Sequence, residues 1–135
     1  MKPMKCGLLL SLALASVFSL SACVHNTAGV WINSQGESGI DSGGFARNIA
    51  LEGITTRRVG DLLQGSTLLI NKASGDMRVQ YKFTWYDANG LTVEESSTSW
   101  QSVKLHGKQQ LQISAVAPNA EAIKFEVYVR ETLSN

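Results

Sequence analysis

Residues 77–86 read Met-Arg-Val-Gln-Tyr-Lys-Phe-Thr-Trp-Tyr, and the alternation is strict. Met77, Val79, Tyr81, Phe83 and Trp85 share one parity; Arg78, Gln80, Lys82, Thr84 and Tyr86 share the other. Strand side chains alternate between two faces, whereas a helix returns to one face every 3.6 residues. Ten residues in this pattern therefore predict a half-buried antiparallel strand. The aromatics of the inner parity bury about 150–250 Å² each. At ~25 cal/mol/Å² they are the largest contribution to a core that is legible in the chain. Asp87-Ala88-Asn89-Gly90 follows as a turn, with Asp87 accepting backbone hydrogen bonds and Gly90 free to take positive φ. Residues 91–95 are expected to return as the hairpin partner.

The same period recurs elsewhere. Ile123, Phe125, Val127 and Val129 alternate with Lys124, Glu126, Tyr128 and Arg130. Val103 and Leu105 mark a strand ending at His106-Gly107, and Leu111, Ile113 and Ala115 mark the next. Upstream, residues 49–51, 55–59 and 68–70 read as three short strands, with a turn at Ser74-Gly75-Asp76. Residues 117–122 suit one helical turn, with Pro118 near its start. Trp100 lies off the alternation of Val103 and Leu105, which predicts a bulge, a strand start or an edge cover. About seven strands with polar turns, and no long helix, predict an all-β, two-layer antiparallel sandwich.

The first residues carry a different message. Lys2 and Lys5 precede an uncharged, apolar or small-residue run over 7–20, followed by Leu20-Ser21-Ala22-Cys23. A run of about 14 residues fits a signal h-region and falls short of the ~20 needed to span a bilayer. Leu20, Ser21 and Ala22 supply the small groups a lipoprotein signal peptidase accommodates, and Cys23 is the residue that would receive lipid. An ordinary secretory signal or an uncleaved anchor helix would account for the apolar run, but not for the cysteine's position. The expected organisation is a removed signal peptide over 1–22, a lipidated cysteine and flexible tether over 23–44, and the sandwich over 45–135. Cys23 would carry diacylglycerol and an N-acyl chain, and no other cofactor is expected. Val24, in place of the Asp that marks inner-membrane retention in enterobacteria, points to the periplasmic face of the outer membrane.

Removal of residues 1–22 also removes Cys6, so no free thiol and no disulfide would remain and the core alone must hold the domain. Without Lys2 and Lys5, ten basic residues face eleven acidic ones, which gives no support for nucleic-acid binding. The tether is rich in Gly and Ser and ends near Gly43-Gly44. Val30-Trp31-Ile32 interrupts it, and Trp31 would pack on the domain, sit near lipid headgroups or dock a partner.

Tyr81-Lys82-Phe83-Thr84-Trp85-Tyr86-Asp87-Ala88-Asn89-Gly90-Leu91 resembles the signature of the YcfL family of bacterial envelope lipoproteins, in which an aromatic strand runs into a Tyr-Asp-x-x-Gly-Leu turn. Ala117-Pro118-Asn119-Ala120, followed by residues 125–130, resembles the family's close. The resemblance spans roughly residues 46–131 and implies an immunoglobulin-like sandwich behind a lipid anchor. That family is a domain of unknown function, so no catalytic or ligand residues carry over.

Catalytic patterns are missing from the sequence. The histidines, His25 and His106, form no His-x-x-x-His or His-Glu-x-x-His spacing, so no metal site is expected. No serine lies in Gly-x-Ser-x-Gly. Glu94 and Glu95 are adjacent, so on a strand they would point to opposite faces and not act as a pair. Arg57-Arg58 would likewise diverge, one solvated and one at a sheet margin, unless one contacts a partner carboxylate. The sequence thus predicts a protein that binds and does not catalyse, an accessory or interaction component of the envelope held to the membrane by its anchor. Its partner would be an envelope protein, with Trp31, Arg57, Arg58 and Trp100 as candidate contacts. The alternative is a small-ligand or glycan binder, whose mark would be a pocket of several hundred Å³.

Overall fold

The structure, a computed structural model, describes residues 29–40, 43–95 and 98–132. Leu20, Ser21, Ala22, Cys23 and His25 lie outside the described residues. The elements in order are β1 (Gly29–Asn33), β2 (Ser38–Ile40), a one-turn helix α1 (Gly43–Ala46), β3 (Ile49–Val59), β4 (Leu62–Asn71), β5 (Met77–Tyr86), β6 (Gln101–Leu105), β7 (Gln110–Val116) and β8 (Lys124–Glu131). They form two antiparallel sheets, ordered β2-β1-β8-β5-β6 and β3-β4-β7. The inner faces enclose one core containing Ile49, Leu69, Val79, Leu105, Phe125, Val127 and Val129. The sandwich expected from the alternation is the observed fold.

β5 and β8 pair in the parity read from the sequence, with Phe83 opposite Val127 and Trp85 opposite Phe125 on the inner face. Asp87 caps its turn as expected: its Oδ1 accepts the N–H groups of Asn89 at 2.9 Å and Leu91 at 3.0 Å. Gly90 takes φ +82°.

Four expectations are corrected. Residues 29–40 are not tether. Val30 and Ile32 are buried, and β1 pairs with β8 over five residues, Trp31 opposite Tyr128. Residues 49–51 and 55–59 form one strand, interrupted by a bulge between Glu52 and Ile54. Gly53, at φ +73°, takes up the extra residue. The bulge resets the parity, so Leu51 and Ile54 both point toward the opposite sheet. Residues 91–95 do not return as a strand, since Thr92 makes only an isolated bridge to Tyr86. Residues 117–122 form a turn and not a helix, with Asn119 Oδ1 accepting the Glu121 N–H at 2.9 Å.

One buried polar side chain ties two turns together. Asn71 is fully buried. Its Nδ2 donates to Gly75 O at 2.9 Å, His106 O at 3.0 Å and, more weakly, Leu105 O at 3.4 Å. Its Oδ1 accepts the Ala73 N–H at 3.0 Å. The β4–β5 turn is thereby fixed to the β6–β7 hairpin. Gly107 has no room for a Cβ because the Ser74 carbonyl occupies that position.

Candidate binding cleft

The inner aromatics of β5 build the wall of a cleft. Phe83 stacks on Trp85 with centroids 6.0 Å apart, Tyr81 meets Phe83 edge-on at 6.2 Å, and Phe125 tilts against Trp85 at 5.3 Å. Phe125 needs Gly65 on the opposite sheet, because a Cβ there would fall inside its ring. β6 pairs only with residues 77–81 of β5, so the far half of β5 lacks a ladder partner on that side until the bridge at Tyr86. The smaller sheet ends at β7. Between these unpaired edges the sandwich stays open, leaving a cleft of about 500 Å³.

One lip consists of Thr98, Ser99 and Gln101; the other consists of Ser114, Ala115 and Val116 with Pro118. Phe83 and Trp85 contribute only the floor, being almost wholly buried, while Tyr81 is half-buried at the wall. Hydroxyl, amide and aromatic groups line the cleft, with no charged side chain among them. Such a lining suits a neutral ligand that offers hydrogen bonds and an apolar face.

The candidates named from sequence lie elsewhere. Arg57 projects from the outer face of β3, where its Nε donates to Gln64 Oε1. Arg58 points the other way, and its Nη1 donates to Asp61 O at 3.2 Å. Both are exposed. Trp31 lies on the outer face of the larger sheet with its ring over Gly39. Trp100 immediately precedes β6 and turns to that same outer face. There it meets Tyr128 edge-on at 6.1 Å and carries the Arg130 guanidinium 3.7 Å above its ring. The structure thus brings Trp31 and Trp100 to one face and separates them from the arginine pair. Tyr81, Thr98, Ser99 and Gln101 were not singled out as contacts from sequence. The inner parity of Tyr81 was legible, but the gap beside it depends on where β6 stops.

His106 sits in the β6–β7 hairpin, at the opposite end of β6 from Gln101. Its Nδ1 lies 3.6 Å from Asp76 Oδ2, which also faces Lys104 Nζ at 3.6 Å. The Gly107 N–H, donating to Asp76 Oδ1, holds the Asp76 carboxyl below the usual range, helped by His106 and Lys104 against slight desolvation. On the outer face, partial burial raises the Tyr86 phenol, with Glu126 and Glu95 adding to the effect. Among the described residues no cluster of three or more His, Cys, Asp or Glu could hold a metal ion.

Residues 36–131 match the family described as "Protein of unknown function (DUF1425)". A crystal structure of a DUF1425 family member from Shewanella sp. pv-4 is 40% identical, with a TM-score of 0.60, covering 83% of this chain and 96% of that one. Campylobacter jejuni cj0090 is 15% identical with a TM-score of 0.52, covering 61% of this chain and 85% of that one, a likeness of fold alone. No curated protein matches.

Proposed function

The chain belongs to the DUF1425 family of proteins of unknown function, and we propose that it acts by binding, as a lipid-anchored component of a bacterial cell envelope. The reading assigns it to the YcfL-type lipoproteins. Support for the anchor is Leu20-Ser21-Ala22-Cys23 behind a short apolar run. Val24 supports the periplasmic face of the outer membrane as its location.

The observation that carries the binding role is the open cleft between β5 and β7, with its aromatic wall and its Ser, Thr and Gln lips. Its volume lies within the range of small-molecule sites. Its neutral lining favours a glycan or another uncharged ligand over an acidic or basic one. The competing reading is an accessory role in which an envelope protein docks on the domain.

The test is titration of the mature protein with neutral oligosaccharides and peptidoglycan fragments, followed by amide NMR. Perturbations are expected at Tyr81, Ser99, Gln101 and Ser114, and Tyr81→Ala should abolish them without loss of fold. No perturbation at these positions with any sugar, together with crosslinks from Gln101 that capture an envelope protein, would replace the glycan reading with protein docking. Cys23→Ala tests the anchor separately, since it should abolish lipid attachment and membrane recovery.

A further inference from the structure

The outer face of the five-stranded sheet carries more bases than acids, in a molecule where acids elsewhere outnumber bases. Strand parity places Arg78 and Lys82 of β5, Lys104 of β6, and Lys124 and Arg130 of β8 on this face, with Glu126 as its one acidic strand residue. Asp76 partly neutralises Lys104, Glu95 lies with Glu126 beside Tyr86 and Glu37 meets the face at Asn33; Arg78, Lys82, Lys124 and Arg130 leave it a modest positive excess. Five of the ten basic residues that follow residue 22 thus share one sheet surface. Aromatic rings lie among them. Trp31 pairs across from Tyr128, and Tyr128 touches Trp100. Arg130 lies flat on Trp100, with its Nε bonded to Gln80 Oε1 at 2.9 Å, and Lys82 Nζ lies 5.1 Å from the same ring. Trp and Tyr beside Lys and Arg is the composition that settles at a bilayer's headgroup level.

The start of the fold supplies the second observation. Gly29 opens β1 in register with Arg130, and a Cβ at Gly29 would collide with the Tyr128 ring. The fold therefore begins at the end of the five-stranded sheet, beside Arg130. Cys23 lies six residues earlier, so whatever those residues adopt, the separation cannot exceed about 20 Å. This replaces the 20-residue tether of the sequence reading. An anchor at Cys23 would confine this face to the neighbourhood of the headgroups, where a weak electrostatic contact becomes effectively intramolecular.

We propose that the outer face of the five-stranded sheet lies against an anionic phospholipid surface, with Lys82 and Arg130 meeting lipid phosphates and Trp31, Trp100 and Tyr128 at headgroup depth. The orientation in the envelope rests on the lipid-anchor reading; the affinity of the face for anionic lipid does not. Every described strand and core side chain lies within residues 29–132, so the unlipidated chain from residue 24 carries the whole fold.

That chain is sedimented with vesicles of phosphatidylglycerol and phosphatidylcholine, and with phosphatidylcholine alone, at low and high salt. Expected is a preference of about tenfold or more for the anionic vesicles, lost at high salt. Lys82→Glu with Lys124→Glu should remove the preference while sparing the Arg130–Trp100 stack. Arg57→Glu, on the opposite sheet, should leave it unchanged. Brominated phosphatidylglycerol should quench fluorescence in wild type, and the quenching should fall in Trp100→Phe. Equal binding to both vesicle types, no binding at low salt, equal sensitivity to Arg57→Glu, or self-association through this face in sedimentation velocity would overturn the proposal. Mass spectrometry of the Cys23 peptide from the membrane-derived protein reads the anchor independently, so failure of either idea is visible without the other.

Discussion

Removing the Asn71 side chain should unfasten the two turns it joins. Asn71→Ala takes away the acceptor of the Ala73 N–H and the donor to Gly75 O. The His106 carbonyl is less exposed to loss, since it also accepts the Gln109 N–H at 3.0 Å. Two groups therefore lose their side-chain partner, the Ala73 N–H at a half-buried position and the Gly75 carbonyl at an exposed one. At about 1–3 kcal/mol for an unsatisfied buried group, and less for a carbonyl that water can reach, the expected loss is about 1–4 kcal/mol, a large share of a small domain's stability. Asn71→Asp sharpens the test. One carboxylate oxygen would keep the Ala73 N–H, while the other would face carbonyl oxygens that accept and cannot donate. The charged form is disfavoured, so the folded-state pKa of the new Asp must rise above its unfolded value of ~3.9. A raised pKa places the relative stability below the unfolded value and removes it as pH climbs through the folded one. Urea unfolding of the mature chain, followed by tryptophan fluorescence, should find Asn71→Asp worst near neutrality and closest to wild type near pH 3. Asn71→Ala, which adds no titrating group, controls for the other carboxylates. A loss under about 0.5 kcal/mol in Asn71→Ala, or a pH-independent gap in Asn71→Asp, would refute the argument.

Three further outcomes are expected. A chain beginning at Gly44 should fail to fold cooperatively in circular-dichroism melts, since it discards buried Val30 and Ile32 and bares the β8 edge; a chain beginning at residue 24 should melt normally. Trp85→Ala should cost about 3–5 kcal/mol in thermal melts, because the indole is buried between Phe83 and Phe125, whereas Lys82→Ala should cost under about 1 kcal/mol. The depressed Asp76 carboxyl contributes stability above the unfolded pKa of ~3.9, lost as pH falls through the folded value. Asp76→Asn and wild type should then differ at pH 6 and converge as the pH falls through the lowered folded value, and a gap that widened on acidification would show the wrong sign.

The strands legible in the sequence are those whose alternation runs unbroken beside a turn. β5 and β8 satisfy this, and their inner faces are the ones predicted. β3 does not, because Gly53 inserts one residue and shifts the parity, so a single strand reads as two short ones. β1 and β2 were hidden for another reason. Gly and Ser around Val30-Trp31-Ile32 read locally as tether, and the strand that orders β1 lies almost a hundred residues away, Trp31 opposite Tyr128. Local composition carries no information about such a partner. Asn71 escapes detection in the same way: its importance comes from carbonyls at positions 75, 105 and 106, not from its neighbours in sequence.

The cleft and the basic face meet in the segment leading to β6, and its parity explains how. Gln101 pairs with Tyr81 and faces inward, whereas Trp100 turns outward beneath Arg130. Ser99 is on the cleft side again, with its Oγ accepting from Gln101 Nε2 at 3.3 Å. Trp100 therefore works as a clamp. Its contacts with Tyr128 and Arg130 fix the outer half of the segment, and the backbone transmits that position to the two lip residues beside it. A cation over an indole at this distance contributes about 0.5–1 kcal/mol at an exposed site, enough to favour one local arrangement but too little to hold the fold. From the sequence alone Trp100 is a bulge, a strand start, an edge cover or a partner contact, and β6 starts at the next residue, Gln101. In the fold it covers the outer face at the start of β6, held between Tyr128 and Arg130, and leaves its inward neighbours Ser99 and Gln101 to form the lip of the cleft.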